Sequence, residues 1–319
     1  MEFDIQYLLL LQQLRNATGG IFNEFFNAIS KFAVDILPFL PFVVFWSVDK
    51  KWGWRFIATS AVGEFINGLV KLTVCAYRPW IRSELIEPAG DSKVAATGYS
   101  FPSGHTMCGT TLYGTVFVWQ KDKRRWLAVL MAVMIFLTGF SRNFLGVHTP
   151  QDVIVGFLES VLIIFVIGVV SKKLEGNERL IDIVTLAGVA VVALGILYIK
   201  LKPYPMDYVD GVLLVDPQKM MVDTFKGCGC LLGLIIGSYA DRHYLKYEIP
   251  EGSKNLPILT ATGAALMFSW KQFFGPATVA ALFGPQWGNL LSMCIMTLFG
   301  IILWPLVLKA ADRKERIAG

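Results

Sequence analysis

Charge is scarce in this 319-residue sequence. Asp, Glu, Lys and Arg make up 17% of it, against 55% hydrophobic residues. Soluble domains sit nearer ~25% charged and ~45–50% apolar, so an ordinary soluble fold is excluded. The net charge of +5 comes from short basic clusters between apolar runs, with no concentrated basic patch, so no nucleic-acid partner is expected. Cysteines number five, an odd count without metal-ligand spacing. Cys228 and Cys230 lie inside an apolar run and read as small helix-packing residues. A basic n-region is missing too: MEFDIQYLLLLQQL begins acidic, which argues against a cleaved signal peptide and for an amphipathic helix lying on a membrane surface. There is neither an internal repeat nor a low-complexity linker.

What fills the chain instead is a series of apolar runs about 17–25 residues long, the length an α-helix needs to cross a bilayer. They predict an all-α, polytopic transmembrane helix bundle of about nine spans, near 32–48, 54–75, 104–120, 126–141, 151–171, 180–199, 226–239, 256–270 and 287–308. Three regions follow: a surface amphipathic segment over 1–31, a five-helix core over 32–172, and a membrane extension of about four helices over 173–319. The connections DKKWGWR, QKDKRR, SKKLEGNER and DRHYLKYEIPEGSK and the tail KAADRKER all carry Lys or Arg. Nine spans put these five segments on one side, which the positive-inside rule makes cytoplasmic. The N-terminus and loops 76–103, 142–150 and 200–225 then share the outer face.

Three polar clusters fall on that face. In KLTVCAYRP, Lys71 and Arg78 are seven apart, so a continuing helix would aim both at one anion. Glu64 on the same stripe is a candidate counter-ion for Lys71. In FPSGHT, Ser103 is a good N-cap, and the free N–H groups at Gly104 and His105 suit an anion such as phosphate. The bland alternative for each cluster is snorkelling cations and plain capping. In SRNFLGVHTPQD, Thr149 caps a helix with Pro150 at its first position, and Asp152 in the first turn can reach back to the ring of His148. A carboxylate on one ring nitrogen fixes the tautomer and frees the other as nucleophile or base. Arg142 adds a planar fork suited to phosphate oxygens. Together, cations, an anion-binding helix start and two unequal histidines fit phosphoryl transfer.

Lys71-x6-Arg78-Pro79, Pro102-Ser103-Gly104-His105 and Ser141-Arg142-x5-His148-x3-Asp152 resemble the three-part signature of the type 2 phosphatidic acid phosphatase superfamily. That superfamily includes lipid phosphate phosphatases, glucose-6-phosphatase and vanadium haloperoxidases. The resemblance covers 71–152; residues 172–319 carry no part of it. It implies that His148, oriented by Asp152, attacks phosphorus to form a phosphohistidine, and that His105 protonates the leaving group. Lys71, Arg78, Ser103, Gly104 and Arg142 would hold the phosphate oxygens. No metal or other cofactor is implied. An outward N-terminus and a core extended to nine spans resemble the glucose-6-phosphatase and sphingosine-phosphate phosphatase layouts more than the six-span lipid phosphatases.

The resulting expectation is an integral-membrane phosphatase acting on a lipid phosphomonoester or lipid pyrophosphate. Its alternatives are a lipid phosphotransferase sharing the intermediate, a glucose-6-phosphatase-like activity on a soluble sugar phosphate, and a non-enzymatic headgroup transporter. Its membrane is a bacterial inner membrane with a periplasmic site, or endoplasmic reticulum with a lumenal one. Arg82 and Lys93 are candidates for a second phosphate. The C-terminal spans read as a packing scaffold or homodimer surface, with Gly227, Gly229, Gly233 and Gly237 suiting close helix contact. His243 lies in a cytoplasmic loop outside this chemistry, and loop 200–225 lies on the side of the site.

Overall fold

A computed structural model of the chain describes residues 2–96 and 98–318. In chain order the helices are α1 (Phe3–Ala17), α2 (Asn23–Asp35), α3 (Leu40–Ser47), α4 (Lys50–Val74), the single turns α5 (Pro79–Arg82) and α6 (Ser92–Ala95), α7 (Gly104–Gln120), α8 (Arg125–Phe144), α9 (Pro150–Leu174), α10 (Glu178–Leu201), α11 (Pro217–Ala240), α12 (Leu256–Ser269), α13 (Gly275–Phe283), α14 (Pro285–Leu298) and α15 (Trp304–Ala318). Among the described residues the one sheet is a two-residue hairpin, β1 (Tyr208–Val209) with β2 (Val212–Leu213). The protein is an all-α integral membrane protein.

Among the described residues, seven helical stretches are long and apolar enough to cross a membrane: Asn23–Ser47, Lys50–Arg82, Arg125–Phe144, Pro150–Leu174, Glu178–Leu201, Pro217–Leu245 and Pro285–Ile317. The other two segments expected to span are helical but shorter, α7 at 17 residues and α12 at 14. The count of nine is therefore approximate. The first apolar stretch starts at Asn23, earlier than the expected 32, because the α2 helix runs on through a 3-10 turn at Leu37–Phe39 into α3.

The chain divides into two compact units. One comprises Met1–Pro38, Ile66–Ile164 and Ile199–Thr224; the other comprises Phe39–Phe65, Phe165–Tyr198 and Phe225–Gly319. All three signature clusters belong to the first. Its core gathers Phe26, Phe144, Leu145 and Val147 with Trp80 and Phe140, the rings of Phe26 and Phe144 lying 4.5 Å apart. Aromatic burial of this kind fixes the end of α8 and the loop that follows it. The α1 helix buries Ile5 and Leu8 against Ile86 and leaves Phe3, Leu10 and Leu14 exposed. Its polar side holds the 82–87 segment: Arg82 pairs with Asp4 at 2.7 Å and with Glu2, and Arg15 donates to the carbonyls of Phe144 and Glu87.

The second unit is tied by polar bonds between apolar helices. The Trp46 indole donates to Gly300 O at 2.6 Å, Tyr247 Oη donates to Trp46 O at 2.6 Å, and Lys50 pairs with Asp241 at 2.6 Å. A buried indole N–H left unpaired costs about 1–3 kcal/mol, so such bonds fix which helices meet. The glycine stripe on α11 makes close contacts within this unit. A Cβ at Gly229 would fall 2.1 Å from Leu290 O, and one at Gly233 2.7 Å from Thr297 Cβ. The close packing that these glycines permit is intramolecular.

Candidate active site

Lys71 and Arg78 reach the site by a different path from the expected one. Their helix does not run through both: α4 ends at Val74, and Cys75 turns the chain with φ +52°. Arg78 is extended (φ −65°, ψ 152°) and caps α5, which Pro79 opens. The two cations converge through this break. Lys71 Nζ donates to Pro102 O at 2.7 Å. Arg78, 6% exposed, donates through Nε to Gly98 O (3.2 Å) and through Nη1 to Val147 O (2.8 Å).

Arg78 Nη1 also lies 2.8 Å from His148 Nε2. A guanidinium has donors and no acceptor, so the ring nitrogen facing it must carry the lone pair. The proton then sits on Nδ1, which faces Asp152 Oδ2 at 3.3 Å. Helix capping puts the carboxylate there. Thr149 Oγ1 accepts from Asp152 N at 3.4 Å, while Asp152 Oδ2 accepts from Thr149 N at 2.8 Å. This reciprocal box at the start of α9 matches the expected roles of Thr149, Pro150 and Asp152. Ser100 Oγ donates to the same oxygen, so the carboxylate is held by three donors. His148 is 2% exposed. Burial first, then the charge of Arg78, hold its protonated form well below the ordinary histidine range, against the opposing pull of Asp152. The ring thus presents the lone pair of Nε2 to Arg78 and the proton of Nδ1 to Asp152.

Ser103 caps α7 as expected, its Oγ accepting from Thr106 N at 3.4 Å. Its own N–H donates to Asp152 O at 2.9 Å, joining the second cluster to the third through the main chain. The close approach needs Gly156 on α9, where a Cβ would stand 2.8 Å from Ser103 O. Gly104 opens the helix. The ring of His105 makes no hydrogen bond among the described residues, and the cations that face it are Arg142, Arg78 and Lys71.

Arg142 is 3% exposed. Its Nη1 donates to Ser30 Oγ, and its Nε is buried with no hydrogen-bond partner among the described residues. Arg78 is the charge facing it. Two buried guanidinium groups repel in a low dielectric unless an anion joins them, and an unpaired buried donor costs about 1–3 kcal/mol. An anion placed between the two groups would lower both costs. Asn143 completes the loop, its Nδ2 donating to His148 O at 2.9 Å.

All eight expected site residues therefore lie in one unit, linked by contacts through Lys71, Arg78, Ser103, Arg142, His148 and Asp152. One expectation, Glu64 as the counter-ion of Lys71, needs correction. The carboxylates facing Lys71 are Asp152, Asp223 and Glu159; Glu64 belongs to the second unit and faces Cys230 there. Arg82 is engaged by Asp4 and Glu2. His243 lies 3.1 Å from Asp182 in the second unit. Ser30, Ser100 and Asn143 carry no signal in the sequence, since nothing about an isolated Ser or Asn marks it as a support for a distant His or Arg. No group of three or more His, Cys, Asp or Glu among the described residues is arranged to hold a metal.

A histidine facing a carboxylate and a buried guanidinium thus stands at the ends of apolar helices in an integral membrane protein. Residues 52–175, about two fifths of the chain, match the PAP2 superfamily. Among curated proteins the chain is similar to the lipid phosphate phosphatase delta of Arabidopsis thaliana, 25% identical over 189 residues, covering 55% of this chain and 43% of that relative. It is also similar to the undecaprenyl-diphosphatase of Sulfolobus acidocaldarius, 24% identical over 158 residues, covering 49% of this chain and 72% of the relative. Similarity to phosphatidylglycerophosphatase B of Bacillus subtilis is 28% over 117 residues, 34% of this chain and 57% of the relative. The chain thus spans less than half of the first of these and over two thirds of the second. No solved structure matches it.

Proposed function

We propose that the chain is a membrane phosphatase that hydrolyses a lipid phosphomonoester or lipid pyrophosphate through a phosphohistidine, without a metal. The observation that carries this reading is the contact of His148 Nε2 with Arg78 at 2.8 Å, while Nδ1 faces Asp152. It places a lone pair among cations, where a phosphate would sit. The names of the relatives, a lipid phosphate phosphatase and an undecaprenyl-diphosphatase, agree with that substrate class.

In the first half-reaction His148 Nε2 forms a bond to phosphorus as the bond to the leaving oxygen breaks. His105 gives that oxygen a proton, and Asp152 stabilises the ring's positive charge. The phosphate anion offsets the cations facing His105 and so favours a proton on it. Lys71, Arg78, Arg142 and the N–H groups at the start of α7 hold the three non-bridging oxygens. In the second half-reaction water gives its proton to His105 and its oxygen to phosphorus, and the N–P bond breaks. Because Asp4 and Glu2 engage Arg82, a cation that would read a second phosphate is drawn away, which favours a monoester. The Lys/Arg-bearing connections, taken as cytoplasmic by the positive-inside rule, support a site that faces outward, in the periplasm of a bacterial inner membrane or the lumen of an endoplasmic reticulum.

The test is phosphate release by purified full-length protein in EDTA, comparing wild type with His148→Ala on phosphatidic acid, a polyprenyl diphosphate, a sphingoid phosphate and glucose 6-phosphate. Release that survives EDTA and vanishes in the variant is expected. Lipid binding without release from any substrate would move the assignment to a phosphotransferase or a headgroup transporter.

A further inference from the structure

The segment Ile199–Thr224 lies outside the residues that match the superfamily, 52–175, yet it packs within the same unit as the site. Its contacts fall on the supports of one residue. The C-terminal carbonyls of α4 lack helical partners, and Lys202 Nζ takes two of them, Leu72 O and Thr73 O, the latter at 3.3 Å. A lysine here also meets the negative end of the helix dipole. This is the point where Cys75 enters the left-handed region, a conformation that costs a non-glycine residue about 1–3 kcal/mol and persists only when its surroundings impose it. Two residues on, Tyr77 Oη donates to Asp207, just ahead of the β1–β2 hairpin. The next residue is Arg78.

A third contact reaches Arg78 through Gly98. Arg78 Nε donates to Gly98 O. The space a Cβ would occupy at Gly98 is filled by the side chain of Met220, on the first turn of α11. Met220 is buried, as is Thr224 one turn later, which packs where a Cβ of Gly68 would stand. The turn before Arg78, the residue beside it and the carbonyl that receives its Nε are thus each held by the post-family segment.

We propose that Lys202, at the head of this strap, is a positioning residue for the phosphate-binding Arg78, so that the strap sets how the cradle meets the reacting phosphorus. The proposal rests on the phosphatase reading for its kinetic consequence, but the geometry it concerns is testable by binding. A guanidinium misplaced by about 1 Å can lose roughly 10–100-fold in rate, and the loss should be larger for a five-coordinate mimic than for a tetrahedral anion.

The experiment compares full-length Lys202→Met and Lys202→Arg with wild type, in kcat/KM, in inhibition by orthovanadate and by inorganic phosphate, and in thermal midpoint. Lys202→Met is expected to lose about 10–100-fold in kcat/KM and a similar factor in vanadate affinity. Phosphate affinity and thermal midpoint should stay near wild type, and Lys202→Arg should recover most of the loss. Vanadate and kcat/KM values within about twofold of wild type would overturn the proposal. So would a parallel loss of phosphate affinity and thermal stability that Arg does not rescue, since that marks a merely structural role. If wild type releases no phosphate, the hydrolase reading fails by itself. Vanadate and phosphate binding, followed through the fluorescence of the tryptophans, then still decide the role of Lys202.

Discussion

Arg78 stands against His148, Nη1 to Nε2 at 2.8 Å, and holds Val147 O through Nη1 and Gly98 O through Nε. One side chain thereby fixes the ring nitrogen that would attack and the loop that carries it. An ammonium group is a point charge and cannot reproduce three directed bonds of a planar fork. Arg78→Lys should therefore lose activity although charge is conserved, with kcat down about 10²–10³-fold, as for removal of a single preorganised donor to a transition state. Steady-state kinetics check this, and retention of more than a tenth of wild-type kcat would show that Arg78 acts through charge alone.

The same contact makes a claim about a proton. With three histidines in the chain, labelling the imidazole nitrogens is practicable, and His148→Asn identifies the signal of interest. The ring should be neutral, with its proton on Nδ1. Its protonated form is held low by burial and Arg78, so lowering the pH should leave it neutral below about 6.5, the ordinary histidine value. Protonation would remove the lone pair, so the acid limb belonging to this group in kcat/KM should fall on the acid side of that value. A ring already cationic at neutral pH, or protonated on Nε2, would contradict the arrangement.

How far the sequence foretold this site follows from what kind of interaction builds each part. Apolar length marks helices however they pack, which is why each expected span coincides with a helix. The Thr149–Pro150–Asp152 start of α9 was equally legible, because capping is settled within four residues. The route from Lys71 to Arg78 was not. A helix stripe was expected, but α4 stops where Cys75 adopts φ +52°, a conformation that cysteine does not advertise and that tertiary contacts impose. Ser30 and Ser100 reach Arg142 and Asp152 from far along the chain, and no local pattern encodes such pairs. Glu64 shares a helix stripe with Lys71, yet helix spacing does not say which neighbours a packed bundle places beside each residue.

Ser100 is the most informative of these unforeseen residues. It donates to Asp152 Oδ2, which also receives Thr149 N and faces His148. Hydrogen bonds to a charged group contribute roughly 1.5–3 kcal/mol, and this one acts on the carboxylate that orients the nucleophile. Ser100→Ala should lower kcat about tenfold with KM little changed, because the Ser hydroxyl is occupied by Asp152. A raised KM at constant kcat would show instead that Ser100 touches the substrate.

Gly156 allows a test that leaves every proposed functional side chain in place. On α9 it faces the main chain of Ser103, where a Cβ would stand 2.8 Å from the carbonyl oxygen. Backbone cannot swing aside as a side chain tip does, so Gly156→Ala must push α7 away from α9. That movement strains the bond from Ser103 N to Asp152 O, and with it the register between the N–H groups at Gly104 and His105 and the nucleophile at His148. A displacement of about 1 Å can cost roughly 10²-fold in rate, so kcat should fall by at least about tenfold. Gly168, on the same helix, has nothing within 4 Å of a Cβ, and Gly168→Ala should leave kcat unchanged. Equal activity in the two variants would mean that the contact between Ser103 and α9 does not set the geometry of the site.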